Sequence, residues 1–443
     1  MSSKKTTLLW LLFLAFFVLG YLINQNSTFV SAVTDKNYEN LKVFSDILYT
    51  VQKDYVEETN VDDLVEGAIN GMLNTLDPHT SYLPPDLYKE MQVETKGRFG
   101  GLGIELTVKD GILTVVAPIE DTPAFRAGIK AGDQIFKINS ETTKNMTLVD
   151  AVKKLRGKKG TSVTISVMRE GLTQLQEHTI IRDIIEIKSV KHKTLYDKFG
   201  YIRVTQFQEQ TTSDFKKALD EIETKIPSLA GLILDLRNNP GGLLQQAVEI
   251  SDEFIDSGLI VYTEGRSASQ KIEFEAHKKE KVANYPLVAL VNAGSASGSE
   301  IVAGALQDHK RALIVGTPTF GKGTVQTIIP LDNGGGLRLT TAKYFTPNGR
   351  SIHAKGIEPD IIVEDQIEGP EKETNPVRFL REKDLEEHLG KTNTGEVPKN
   401  DDTESSAVES SNDNFQDDPP LNRAVELLKS WEIFQGKQST PGN

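Results

Sequence analysis

Apolar positions change their rhythm along this chain. Tyr38, Leu41, Phe44, Ile47, Leu48 and Val51 recur at helical spacing, as do Leu64, Ala68, Ile69 and Met72. Breaks fall at Asp77-Pro78 and Pro84-Pro85, so residues 36–96 read as a helical N-terminal region. From residue 97 the pattern alternates. It predicts strands over 104–108, 112–117, 134–138 and 162–169, a short helix at 124–127 and an amphipathic one at 148–155. Residues 97–183 therefore form a small β-rich domain. Residues 184–365 mix strands (200–204, 231–236, 287–292, 312–315, 324–329, 337–345) with helices (213–224, 243–254, 298–308). That mixture predicts an α/β domain, and the whole chain a multi-domain α/β protein.

The two ends differ from this body. Lys4 and Lys5 precede a charge-free stretch whose apolar core runs from Leu8 to Ile23. Residues 1–32 read as a signal peptide, with Val30-Ser31-Ala32 as an acceptable cleavage site. The rival reading is an uncleaved anchor spanning residues 6–23. Either places the bulk outside the inner membrane, in the periplasm or an equivalent space. A C-terminal extension occupies 366–390. Residues 391–419 hold only Val397, Ala407, Val408 and Phe415 as apolar positions, too few to bury a core, and read as a disordered acidic linker. A helix follows at 420–435, with Leu421, Ala424, Val425, Leu428 and Trp431 on one face.

Composition narrows the function classes. The 443 residues carry 63 acids against 50 bases, a formal charge of -13, which argues against a broad nucleic-acid surface. Seven of the acids stand within residues 400–418, so much of the excess belongs to the linker. Cysteine is absent, which removes disulfides, a thiol nucleophile and thiolate metal sites.

Gly101, Leu102, Gly103 and Ile104 lead directly into an alternating strand. Successive backbone N–H groups on such a turn make a nest for an anion. With the later Gly-Ile-Lys-Ala-Gly-Asp segment at 128–133, residues 97–183 resemble a PDZ domain. The resemblance implies that the loop holds a peptide carboxylate and that the following strand accepts the peptide as an added strand.

Three later segments carry candidate chemistry. Asn292-Ala-Gly-Ser-Ala-Ser297-Gly298-Ser-Glu300 joins a strand to a helix. Ser297 and Glu300 match a helix capping box, yet a serine at a helix start also sits beside free N–H groups that favour an oxyanion. Phe320-Gly-Lys322-Gly-Thr-Val-Gln326 is not a phosphate loop, because Gly323 follows the lysine where Ser or Thr would hold magnesium. Asp235-Leu-Arg-Asn-Asn-Pro-Gly241-Gly242 is a strand-to-helix turn whose glycines admit close backbone approach.

Together the three segments resemble those of the carboxyl-terminal processing proteases, PDZ-containing serine endopeptidases, and the resemblance runs in the same chain order over roughly residues 36–365. The resemblance implies a crotonase/Clp-like ββα core with the PDZ domain inserted. It further implies Ser297 as nucleophile, Lys322 as general base, Gln326 orienting the lysine, and an oxyanion hole from the N–H groups of Gly242 and Gly298. It implies no cofactor and no metal. Partners would be protein substrates with exposed apolar C-termini, with a helical-repeat lipoprotein adaptor and a homo-oligomer as further possibilities in the family. Ligand-free PDZ positions in that family can hold the active site misaligned.

Physical chemistry sets a condition on Lys322. An ordinary lysine is less than about 0.1% neutral at pH 7, and a useful base needs a pKa near about 7–8. Burial without a carboxylate partner supplies that shift, and no acid lies between Asp308 and Asp332 in sequence. A histidine base fits poorly: Gly-x-Ser-x-Gly is missing around Ser297, and His309 would lie about 18 Å along the following helix. The alternative function is a silent PDZ scaffold that only binds C-terminal peptides.

Overall fold

The computed structural model describes residues 35–109, 111–144, 146–169, 171–172, 174–267, 271–279, 284–364, 381–384 and 418–438. The apolar segment at 6–23, most of 366–390 and the acidic stretch 391–417 lie outside the described residues. The chain divides into two compact units between Thr75 and Leu76.

The first unit holds α1 (Asp35–Asp54) and α2 (Val61–Asn74). On α1 the periodic positions Tyr38, Leu41, Phe44 and Ile47 are all exposed. Helix α2 starts at Asn60, whose side chain accepts the Asp62 N–H at 3.0 Å, satisfying one orphan donor of the first turn.

The second unit opens with β1 (Ser81–Leu83) and α3 (Pro85–Lys96). Gly97 ends α3 at φ 66, the left-handed stop that glycine adopts cheaply. Strand β2 (Arg98–Gly101) follows. The small β domain then comprises β3 (Ile104–Lys109), β4 (Ile112–Pro118), α4 (Pro123–Arg126), β5 (Gln134–Ile138), β6 (Glu141–Thr142), α5 (Leu148–Leu155), β7 (Ser162–Met168) and β8 (Gln176–Ile181). Its sheet order is β3-β4-β5-β7-β8, with β6 on β5. Alternate residues Val163, Ile165 and Val167 point into the core beside Ile135 and Ile138. Asp133 is fully buried and pairs with Arg169 at 2.7 Å, while accepting the Lys130 N–H. That pairing explains an acid inside a tight turn, since a buried carboxylate needs its partners. Strand β9 (Asp183–Glu186) returns antiparallel to β2, so the domain leaves its host on a two-stranded ribbon.

The host domain follows in chain order as β10 (Val190–Leu195), β11 (Phe199–Val204), α6 (Thr211–Lys225), β12 (Gly231–Asp235), α7 (Leu244–Asp252), β13 (Gly258–Gly265), β14 (Ile272–Ala276), β15 (Leu287–Val291), α8 (Gly298–Asp308), β16 (Ala312–Gly316), β17 (Thr324–Pro330), β18 (Gly336–Phe345) and β19 (Ile361–Ile362). One sheet runs β10-β11-β12-β15-β16-β19, parallel from β11 onward. Its strands read as continuous apolar runs because both faces are covered. Leu232, Leu234, Ala289 and Val291 pack towards α6, α7 and α8. Ile233, Val288, Leu290 and Val315 pack against the terminal helix α9 (Pro419–Gln438), through Leu421, Ala424, Val425 and Leu428. A second, antiparallel sheet runs β1-β18-β13-β14 with β17 on β18.

Candidate active site

Parallel neighbours β12 and β15 end at the same sheet edge, where Asp235 pairs with Leu290 in register. The turns that leave them lie together, as expected for ligand sites at the carboxyl ends of parallel strands. Asn239 ties the two turns. Its main-chain oxygen accepts the Ala296 N–H at 2.9 Å and the Ser299 hydroxyl at 2.9 Å, and its side chain accepts the Gly241 N–H. The Ser295 hydroxyl donates across to the Leu236 carbonyl at 2.8 Å.

The glycine pair is required by this contact. A Cβ on Gly241 would stand 2.8 Å from the Ser297 Cβ, and one on Gly242 would collide with the Phe207 carbonyl. Both residues have positive φ, 105 and 137. Among the described residues, the N–H groups of Gly242 and Gly298 have no hydrogen-bond acceptor.

Ser297 itself sits at φ 51 and ψ -108. For a residue with a Cβ this conformation costs about 1–3 kcal/mol and persists only where the surroundings hold it. Glu300, one turn later on α8, does that. Its Oε2 accepts the Ser297 N–H at 2.8 Å and the Lys322 N–H at 2.9 Å. Its Oε1 accepts the Gly321 N–H at 2.7 Å and the Thr319 hydroxyl at 2.5 Å. One buried carboxylate thus joins the serine turn to the lysine loop, 25 residues apart in sequence. Burial pushes Glu300 up to about 7, against the pull of these four donors.

Lys322 is half-buried, and its pKa is held below the ordinary lysine value. Burial is the main cause, the Arg338 guanidinium adds to it, and Glu382 and Glu300 work against it. Two carboxylates therefore do act on this lysine, though among the described residues none forms an ion pair with Nζ. Glu382 reaches the site from the short 381–384 segment: its N–H donates to the Phe320 carbonyl at 3.2 Å, and Oε1 lies 2.6 Å from His79 Nε2. Gln326 lies in β17 beside a bulge, and its amide nitrogen donates to Thr324 Oγ1 at 2.8 Å. Tyr344, buried on β18, has its phenol pushed up to about 12 by burial, with the neighbouring Ser297 hydroxyl pulling it down.

In the small β domain, β3 pairs only with β4, so its outer edge is open beside α5. The Gly101–Ile104 loop is braced through its carbonyls. Leu102 O accepts the Ala124 N–H, and Gly103 O accepts the Ile119 N–H, both at 2.9 Å. Among the described residues, the N–H groups of Leu102 and Gly103 have no acceptor.

Comparison with known proteins fits this layout. Residues 198–363 match the model of peptidase family S41, residues 100–178 a PDZ domain, and residues 22–86 the N-terminal domain of the activating protease CtpB. These matches define a serine-type peptidase of family S41 that carries a PDZ domain. A carboxy-terminal-processing protease of Bartonella bacilliformis is 46% identical over 381 residues, covering 84% of this chain and 87% of its own. The carboxy-terminal processing protease CtpA of Bacillus subtilis is 40% identical over 71% of this chain and 67% of its own. Among solved structures, a photosystem II D1 C-terminal processing protease is 29% identical, covers 73% of this chain and 92% of that one, and has a TM-score of 0.43. The chain belongs to the carboxy-terminal processing proteases.

Sequence reasoning did not assign Glu300, Tyr344 or Arg338 to the site. Glu300 left a signal, the capping-box spacing, but that spacing described only the helix start. Nothing in sequence tied Tyr344 or Arg338 to residues 297 and 322, because strand pairing brings them there.

Proposed function

We propose that the protein is an exported endopeptidase that recognises protein C-termini through its PDZ domain and cleaves by a Ser297/Lys322 acyl-enzyme mechanism. The observation that carries this reading is the shared Glu300 carboxylate, which binds the backbone of both residues. Neutral Lys322 takes the Ser297 hydroxyl proton as Oγ attacks the scissile carbonyl. The N–H groups of Gly242 and Gly298 receive the oxyanion. Lys322 then passes the proton to the leaving amine, and water hydrolyses the ester by the same route. Attack requires the Ser297 hydroxyl to exchange Tyr344 for Lys322. Thr324 holds the amide nitrogen of Gln326, which leaves its carbonyl oxygen to orient the lysine.

At the PDZ domain, the free N–H groups of Leu102 and Gly103 take the substrate's terminal carboxylate, flanked by Gly101 and Ile104. The open β3 edge pairs with the residues before it. Export rests on the basic start and apolar run of residues 1–32; among the described residues, no helix is long and apolar enough to cross a membrane. The exposed α1 stripe is a candidate association surface for an oligomer or an adaptor.

A peptide with an apolar free C-terminus should be cleaved at least tenfold more efficiently than its C-terminal amide, as measured by kcat/KM. Equal efficiency would remove the carboxylate from recognition.

The rate should also rise with pH through neutrality. Lys322 must lose its proton to act, and Glu300 must lose its own to accept four donors, so log(kcat/KM) below about pH 7 should climb with a slope above one. Stability follows the opposite sign at Glu300. Its folded pKa lies above its unfolded value, so its contribution is fully present at low pH and is lost as pH rises through about 7. A flat rate profile between pH 5 and 9 would contradict this assignment.

A further inference from the structure

The terminal helix reaches the catalytic edge of the sheet. Helix α9 lies along the face opposite α7 and α8, and its first turn meets the carboxyl end of β12. There Asp418 grips Arg237 with both oxygens, Oδ1 to Nη1 and Oδ2 to Nη2, each at 2.8 Å. Arg237 also donates from Nε and Nη2 to Asp235, which is fully buried and accepts the Tyr201 hydroxyl at 2.7 Å. The flanking carboxylates hold the guanidinium well above its usual range despite burial. Arg237 directly precedes Asn238, at φ 56, and the turn that presents the Gly242 N–H.

We propose that Asp418 is a positioning residue for the catalytic turn. The docked C-terminal helix fixes Arg237 from the outer side while Asp235 fixes it from the inner side, so residues 238–242 are held against Ser297. A bidentate carboxylate–guanidinium pair is suited to this because it sets orientation as well as distance. Asp418 also accepts the Leu421 N–H at 3.0 Å, so the same side chain caps the helix and clamps the turn. The catalytic geometry thereby depends on a segment that follows the acidic stretch and lies more than fifty residues beyond the end of the family S41 match.

The inference rests on the proposed Ser297 chemistry, and one experiment separates the two. Full-length wild type, Ser297→Ala, Asp418→Asn and Asp418→Glu are compared on a quenched fluorescent peptide with an apolar free C-terminus. Asparagine caps helices about as well as aspartate, so Asp418→Asn keeps the helix start and removes the charged clamp. Its kcat should fall roughly tenfold, less than the ~10²–10³ lost with an outright oxyanion donor. KM, C-terminal peptide affinity and the acidic limb of the pH profile should stay at wild-type values, because Lys322 and the PDZ domain are untouched. Asp418→Glu, which keeps the carboxylate, should recover part of the loss. Wild-type kcat in Asp418→Asn would overturn the proposal, as would equal losses in both variants accompanied by matching drops in melting temperature. If turnover is no different in Ser297→Ala, the catalytic reading fails and the clamp fails with it.

Discussion

Replacing Ser297 by alanine should abolish peptide hydrolysis, and Lys322→Ala should reduce it by at least ~10³-fold, since serine and base act as one unit whose single losses are each near-total. Neither change should weaken binding of a C-terminal peptide, which engages the open edge of β3 in a domain with its own core. The two variants should differ in stability. Ser297→Ala keeps a Cβ at the same strained φ but leaves the buried Tyr344 phenol without its partner, so it should melt a few degrees below wild type. Lys322→Ala removes an amine whose folded pKa is depressed. That depression costs stability below the folded pKa and disappears above the unfolded one, so the variant should gain stability at neutral pH, less the packing lost with the stem. Turnover measured beside thermal melts checks both parts. Near-wild-type turnover in either variant would remove that residue from the mechanism.

Glu300→Gln should separate activity from stability in a second way. The amide keeps the size of the carboxyl but offers one acceptor oxygen where four donors converge. At least one buried N–H then faces an NH₂ group, costing about 1–3 kcal/mol. Loss of a buried charge offsets part of this, because burial is the largest influence on Glu300. The net fall in melting temperature should be a few degrees. With the amide oxygen turned to the N–H groups of Ser297 and Lys322, the Gly321 N–H loses its acceptor and the lysine loop loosens, so turnover should drop roughly tenfold. The acidic limb of the rate profile should also lose the extra steepness that Glu300 titration adds. A variant with wild-type turnover would show that the shared carboxylate is only a helix cap.

The parallel core was legible in sequence because its strands are uninterrupted apolar runs bounded by glycine and proline turns, as at 231–235 and 287–291. Strands β13 and β14 were not read. They pair with each other and with β18 in a separate sheet, and β14, Ile-Glu-Phe-Glu-Ala, has few apolar positions to announce it. At the site, the segments around Ser297 and Lys322 were each ambiguous alone, and these residues and Gln326 took their roles only from the family resemblance of the segments together. Glu300 was visible only as half of a capping box, and its second role appears when the loop at 319–322 closes over it. Arg237 read as part of a turn, and its partner Asp418 read as the last acid of a linker. Pairings across 181 residues leave no periodic trace in the chain.

Activation of Ser297 as a nucleophile by Lys322 can be read out by labelling with a serine-directed fluorophosphonate, followed by intact mass and peptide mapping. At pH 8 the protein should carry one stoichiometric adduct on the peptide containing Ser297, with none in Ser297→Ala and strongly slowed labelling in Lys322→Ala. An adduct on another residue, or labelling of Ser297 at the same rate without Lys322, would contradict it.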